Sequence, residues 1–245
     1  MLNAENPGRK METKLAQIRN KLNSLENKQR AEKSKSYLKS QYSFYGISVP
    51  ELRKIAKECK LEFLPSLNLF DELWNSGNHE EMSLALFILG KYVKKHPLEI
   101  WKFLLERLEK AKSWDHIDEI SGHILGDILA NNISLTPDVK KMALSRNPWI
   151  RRTSIVSNYP LIKKQKLELV FLLAEKLIYD EDIYVQKGTG WMLREAGKRN
   201  RLALREFIMM HLNMKPMAFS YATEKMPELR KIKKEKAKEK KETEK

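Results

Sequence analysis

Pro148-Trp-Ile-Arg-Arg-Thr-Ser154 and Ile183-Tyr-Val-Gln-Lys-Gly-Thr189 lie 35 residues apart and share a pattern: an aromatic second, a cation fifth, a hydroxyl seventh. The same interval leads back to Trp114 and His79 and forward to Phe219, each near the start of an apolar-periodic segment. Self-similarity at this period predicts stacked helix pairs. One pair cannot bury its own apolar stripe, so its neighbours must cover it, and a small rotation per unit curves the stack. The local signals agree. Leu167, Val170, Phe171, Ala174, Leu177 and Ile178 fall on one helical face, as do Leu98, Trp101, Leu104, Leu105 and Leu108. Ser48-Val-Pro50-Glu51, Thr136-Pro137-Asp138 and Asn147-Pro148 each set a capping residue beside a proline suited to a first turn. Sustained apolar/polar alternation is missing. The expected fold is all-α.

Composition narrows the function. The 245 residues can bury a sizeable core, and nine glycines are too few for an architecture rich in tight turns. No Gly-rich phosphate loop is present. The net charge of +15 suits a polyanion binder. Residues 228–245 hold 9 Lys/Arg and 5 Glu, so most of the excess lies in the body. Nucleic acid is favoured over an anionic membrane, because there is no amphipathic anchor or lipidation motif. The single cysteine, Cys59, excludes an internal disulfide and a multi-cysteine metal site, and reads as a small buried hydrophobe. With no apolar signal core and no membrane-length run, the expected location is the cytoplasm, with the chromosomal DNA. Three segments are expected: a polar helical extension over 1–35, the repeat body over 36–227, and a Lys/Glu-rich tail over 228–245 that is a frayed helix or disordered.

Three constellations could carry chemistry. In Lys112-Ser-Trp-Asp-His-Ile-Asp118, Ser113 is a cap, Asp115 sits in the first turn, and Trp114 shares a face with Asp118. An indole beside a carboxylate is a receptor for a cation; the plainer reading is a core tryptophan among capping acids. In Trp149-Ile-Arg-Arg152 and Trp191-Met-Leu-Arg194 the tryptophan and arginine are three apart, an arrangement suited to gripping phosphate or to packing an arginine on a core indole. His116, His123 and Asp127 form a weaker set, without dense metal-ligand spacing, and no metal is expected. No serine or cysteine nucleophile motif occurs.

Taken in order, these segments resemble the AlkD-type DNA alkylation-repair glycosylases, which are HEAT-like helical repeat proteins. The likeness runs from Tyr37-Leu-Lys-Ser-Gln-Tyr-Ser-Phe-Tyr-Gly-Ile-Ser-Val-Pro-Glu-Leu-Arg53 through Lys112–Asp118, Leu125-Gly-Asp127 and Trp149–Arg152 to Val185-Gln-Lys-Gly-Thr-Gly-Trp-Met-Leu-Arg-Glu195, covering roughly residues 12–226. It implies a right-handed superhelical solenoid with a concave basic groove. It also implies excision of 3-methyladenine and 7-methylguanine from duplex DNA, without metal or cofactor, by a monomer. By matching position, Asp118 is the implied catalytic carboxylate, with Trp114 and Trp191 as aromatic plates around the deoxyribose. Arg152 and Arg194 are implied phosphate and groove contacts, and Trp149, Arg151, Lys187 and Ser48 complete the expected DNA-binding set. Members are unusual in not needing to draw the damaged base into a pocket. Two departures stand out: a single tryptophan, Trp114, replaces an adjacent pair, and Ser48 stands where some members have glutamine.

The implied chemistry is physically sound. Ring-nitrogen alkylation makes the purine a cation that leaves as a neutral base, so no general acid is required. The sugar develops oxocarbenium character, which a carboxylate and indole faces can stabilise. A neutral purine gains far less. The alternative is a non-catalytic repeat scaffold that binds DNA or an acidic protein, but a pure DNA binder gains nothing from a carboxylate aimed at a polyanion.

Overall fold

The computed structural model describes the backbone of residues 7–243 and the side chains of residues 11–235. Among these residues the chain is helical, with no strand pairing beyond one isolated bridge between Ser43 and Asn78. It divides into two compact units, Met1–Arg107 with Lys112–Glu119 and Leu108–Ala111 with Ile120–Lys245. The first holds α1 (Pro7–Ser24), α2 (Lys28–Leu38), α3 (Val49–Glu58), α4 (Phe63–Trp74), α5 (His79–Gly90), α6 (Pro97–Leu105) and α7 (Trp114–Glu119). The second holds α8 (Gly126–Asn131), α9 (Thr136–Met142), α10 (Pro148–Val156), α11 (Tyr159–Lys163), α12 (Glu168–Leu177), α13 (Ile183–Gly197), α14 (Arg201–Met210), α15 (Pro216–Ala222) and α16 (Pro227–Thr243). A π-helical turn, Ile120–Leu125, precedes α8.

The 35-residue interval is structural. His79 and Trp114 open α5 and α7, Trp149 and Tyr184 sit one residue inside α10 and α13, and Phe219 lies in α15. Their caps recur with them: Asn78 accepts from the amides of Glu80 and Glu81, Asn147 from Trp149, and Asp182 from Tyr184 and Val185. Each cap satisfies donors that the first turn leaves unpaired, worth about 1 kcal/mol per helix. Thr136 behaves differently from its expected capping role. A 3₁₀ turn over Ile133–Leu135 winds directly into α9, and the Thr136 hydroxyl donates back to the Ile133 carbonyl at 2.7 Å.

Burial follows the helical stripes with one exchange. Val170, Ala174, Leu177 and Ile178 are buried, as are Trp101 and Leu104. Leu98, in the first turn of α6, is instead 48% exposed, and Ile100 is buried. Both ends of the described chain are helical. The α1 helix belongs to the first unit, packing on α4 with Ile18 and Leu22 buried and Arg19 bound to Glu81 at 3.1 Å. The tail forms α16, with Leu229 buried at its start. Residues 1–6 of the extension and 244–245 of the tail lie outside the described residues.

One buried carboxylate organises the loop ahead of α3. Glu80, in the first turn of α5, accepts from the backbone amides of Tyr45, Gly46 and Ile47 at 3.1, 2.7 and 3.2 Å. Ionised acceptors make the stronger hydrogen bonds, and a carboxylate at a helix N-terminus is further favoured by the dipole. Gly46 makes the turn possible. Its φ is +78°, and a Cβ there would stand 2.1 Å from the carbonyl oxygen of Asn27 and 2.6 Å from the amide of Ala31. Gly46→Ala should therefore lower the unfolding free energy by about 3 kcal/mol or more. Gly90→Ala, in a helix with open space around the new methyl, should be neutral or stabilising by up to about 1 kcal/mol. Denaturant melts of the two variants check this; equal stability would mean that the loop can shift away from α2.

Candidate functional site

In the first unit the functional candidates gather where α7 meets α5. His79 Nε2 lies 2.7 Å from Asp115 Oδ2, and the Ser113 hydroxyl donates to the other carboxylate oxygen. The His79 ring is held between two planes, stacking on Phe44 at 4.6 Å and on His116 at 4.3 Å. His116 Nε2 lies 2.9 Å from Ser83 Oγ and 3.1 Å from the His79 carbonyl oxygen. A carbonyl can only accept, so this nitrogen carries the proton. His116 Nδ1 is then an acceptor, and it is buried with no partner among the described residues.

The electrostatics follow. Burial opposes ionisation of Asp115, but the His79 hydrogen bond, the two imidazoles and Ser113 outweigh it and hold the carboxyl well below the usual range. Burial, reinforced by neighbouring His79, pushes His116 down to about 4 against the pull of Asp115. At neutral pH His116 is neutral. Sequence reading gave Asp115 only a helix-end role and had no signal for its partner 36 residues earlier.

Trp114 and Asp118, expected as plate and carboxylate, are both half-buried and one turn apart on α7. Trp114 meets the edge of Tyr37 at 6.1 Å and 74°. It also forms part of the wall of a cavity of about 320 Å³, shared with Phe44, Phe87, Arg53 and Glu119. Asp118 is not part of that wall. Ser48, expected at a DNA contact, caps α3: its hydroxyl and amide both donate to Glu51, at 2.5 and 3.0 Å.

His79, Asp115 and His116 have ligand atoms within 4.8 Å of one another; His123 and Asp127 do not join them. The near-parallel imidazoles direct their in-plane lone pairs along neighbouring lines rather than at one point, and Asp115 Oδ2 is already bonded to His79. The arrangement is that of a hydrogen-bonded clamp on the first turn of α7.

The second unit carries the other expected residues, on α10 and α13. Trp149 packs on Tyr184 at 5.0 Å, Lys187 Nζ lies 5.6 Å from the Tyr184 ring centroid, and Trp191 meets Tyr159 at 5.9 Å. Lys163 sits 4.3 Å over Tyr159. Tyr184, Lys187 and Trp191 are spaced to share one face of α13. Tyr159 and Lys163 were not singled out by the motifs, and Tyr184 entered only as a marker of the repeat.

The arginines are more committed than their sequence context suggests. Arg151, expected at DNA, forms a two-pronged pair with Asp180 at 2.6 and 2.9 Å and donates to the carbonyls of Ser145 and Arg146. Its guanidinium is engaged within the unit. Arg152 is only 5% exposed and donates to the Tyr184 carbonyl at 2.5 Å. Gly188 makes room for it: a Cβ there would lie 3.0 Å from Arg152 Nη1. Arg194 pairs with Glu224 and lies 3.7 Å from Glu195.

The described residues thus form a helical chain with an aromatic, acid-lined cavity in one unit and an aromatic-basic helix face in the other. Comparison with known families sharpens this. Residues 18–226 match the DNA alkylation repair enzyme family, and the chain belongs to that family. A solved structure described as a predicted DNA alkylation repair enzyme from Enterococcus faecalis is similar in fold, with a TM-score of 0.72 and 22% identity over 82% of this chain and 96% of that one. No curated protein matches the chain. No helix among the described residues is long and apolar enough to cross a membrane.

The buried His116 makes stability pH-dependent. Its folded-state pKa of about 4 lies below the ordinary 6.5, so between these values the unfolded chain binds more protons. Stability is thus fully present above about pH 6.5 and falls as pH drops toward 4, by about 3 kcal/mol from this group alone. Urea melts at stepped pH on wild type and His116→Gln should show a flatter dependence in the variant over that window. Parallel curves would mean that His116 is charged in the fold.

Proposed function

We propose that the protein is a monofunctional DNA glycosylase that removes positively charged alkylated purines, such as 3-methyladenine and 7-methylguanine, from duplex DNA. The observation that carries the reading is the placement of Trp114 and Asp118 on one face of α7, with the first turn of that helix clamped through Asp115 to His79. Membership of the alkylation-repair family supports it.

In this reading Asp118 stabilises the sugar cation and orients the attacking water, while the Trp114 indole offers a π face to positive charge. Water adds to C1′ as the C1′–N bond breaks. The bond's electron pair goes to the purine, which departs neutral, and the water's extra proton is released. The products are the free base and an abasic site. No proton need be delivered to the leaving group, because alkylation has already placed a positive charge on it. Each preorganised electrostatic contribution is typically worth about 3–4 kcal/mol, or two to three decades in rate.

Lys187, with Trp149 and the Arg152–Tyr184 pair, serves as the phosphate-facing surface of the second unit, giving salt-dependent affinity by counterion release. In the same reading Arg194, on α13, and Ser48, at the start of α3 in the first unit, are further DNA contacts. The engagement of Arg151 with Asp180 and of Arg194 with Glu224 favours a second reading, a non-catalytic scaffold with modest DNA affinity.

One assay separates them. Duplex DNA methylated at purine nitrogens should release 7-methylguanine and 3-methyladenine with wild type. Asp118→Asn should lose roughly two to three decades of that rate while binding DNA as before. Equal release by both proteins removes the carboxylate role, and no release by either leaves the scaffold.

A further inference from the structure

The family match ends at residue 226, and the next residue opens α16. The charges of this helix are sorted by position. The glutamates at 228, 235, 239 and 242 fall on one line of the helix; the lysines at 231, 234, 238 and 241 fall on another, roughly opposite the buried Leu229. A charged helix that meets only water is typically stabilised by glutamates placed four residues ahead of lysines. None of these glutamates has a lysine four residues on. Like charges recur at that spacing instead, in Arg230–Lys234, Lys234–Lys238 and Lys236–Lys240, and each such pair works against the helix. The pairing of Lys231 with Glu235, at 4.0 Å, has the less favourable order.

The root of α16 is fixed beside α13, the helix that carries Lys187 and Arg194. Glu224, just ahead of α16, pairs with Arg194. Arg201, the first residue of α14, donates to the Lys225 carbonyl and pairs with Glu228 at 2.6 Å. Arg230 donates to the Ser220 carbonyl and the Thr223 hydroxyl at 2.8 and 3.2 Å, and Lys233 lies 4.1 Å over the Phe219 ring of α15. These contacts engage Arg230 and Lys233 and leave Lys231, 82% exposed, and Lys234 facing outward. Past Ile232 the inward line continues at positions 236 and 240, both lysine, so the sequence supplies no apolar stripe for further packing. The 17 residues of the helix span ~25 Å, about the length of seven base pairs.

We propose that α16 is an electrostatic arm that holds the phosphate backbone of duplex DNA, independently of sequence and of damage. The choice of DNA rests on the alkylation-repair reading above; the outward lysine line and its self-repulsion do not. Phosphates relieve that repulsion, and each one neutralised releases condensed cations, which favours binding. The glutamate line repels a polyanion, so it turns the lysine line toward the duplex. Lipid phosphates carry the same charge, but a helix lying on a membrane seats an apolar face in it, and past Ile232 this helix has none. The arm adds a foothold on undamaged duplex, separate from the groups assigned to the reaction.

The probe is an undamaged duplex of about 24 base pairs, bound by the full chain and followed by fluorescence anisotropy from about 50 to 200 mM salt. In a variant combining Lys231→Gln, Lys234→Gln, Lys238→Gln and Lys241→Gln, affinity near 0.1 M salt should fall at least roughly tenfold, and the slope of log K against log salt should shrink by about 2–3.5. Arginine at the same four positions should bind like wild type. Glutamine and arginine have helix propensities close to lysine, and far-ultraviolet circular dichroism checks the fold. Removing equal charge from the first unit, with glutamine at the exposed Lys57, Lys60, Lys94 and Lys95, should change the slope by less than about 1. An unchanged slope in the α16 variant, an equal loss in the first-unit variant, or tighter binding of phosphatidylglycerol vesicles than of duplex each overturn the proposal. Base release from methylated duplex is measured on wild type in parallel. The slope loss without base release leaves the arm intact and sinks the glycosylase reading, whereas base release with an unchanged slope does the reverse.

Discussion

The hydrogen bond between Asp115 and His79 is the constraint on which the first unit's site depends. It joins the first turn of α7 to the first turn of α5 across one repeat interval, and every nearby aromatic group is placed with reference to it. Phe44 and His116 cover the two faces of the His79 ring. Phe44 is in turn held by the loop that Glu80 gathers through three backbone amides. A buried polar network of this kind stabilises only when nearly all its members are satisfied, and it then fixes one arrangement of the elements it joins. The helix that carries Trp114 and Asp118 is thereby set by a polar clamp at its beginning, not by the short apolar stripe that six residues can offer.

Charge is distributed with equal consequence. The chain is strongly basic, yet basic groups within it are often engaged. Arg19 pairs with Glu81, Arg107 with Asp71, Arg151 with Asp180 and Arg194 with Glu224. Such pairs position helices more than they add affinity for a polyanion. Lys187, half-buried, and Lys163, exposed, each lie over a tyrosine ring of the second unit. The acidic lining of the first unit's cavity is the counterpart.

Much of the fold was legible because it is local and periodic. Caps such as Asn147 and Ser48 announce their helices, and the 35-residue interval marks where each repeat begins. Trp114 and Asp118 were legible as a pair because a four-residue spacing fixes their common face. Other features depend on partners far along the chain, which no local pattern specifies. The sequence around Arg151 reads as a phosphate grip, but its geometry is decided by Asp180. Asp115 reads as a helix-end acid until His79 stands beside it. Leu98 and Thr136 differ for a smaller reason: Leu98 lies in the exposed first turn of α6, and a 3₁₀ turn ahead of Thr136 takes over the start of its helix. The π turn at Ile120–Leu125 has no compositional signal of its own; one backbone hydrogen-bond shift produces it.

Charge, rather than shape, is what the proposed chemistry recognises, and a neutral isostere isolates that claim. Two duplexes of one sequence would carry either 7-methylguanine or 7-deaza-7-methylguanine, which preserves the outline of the lesion and removes its positive charge. Single-turnover base release should be readily measured from the first and fall by more than roughly two decades in the second, relative to the uncatalysed loss of each base. Equal acceleration of both would show that the protein reads the methyl group's shape, and would contradict a mechanism built on a carboxylate and π faces around a cation.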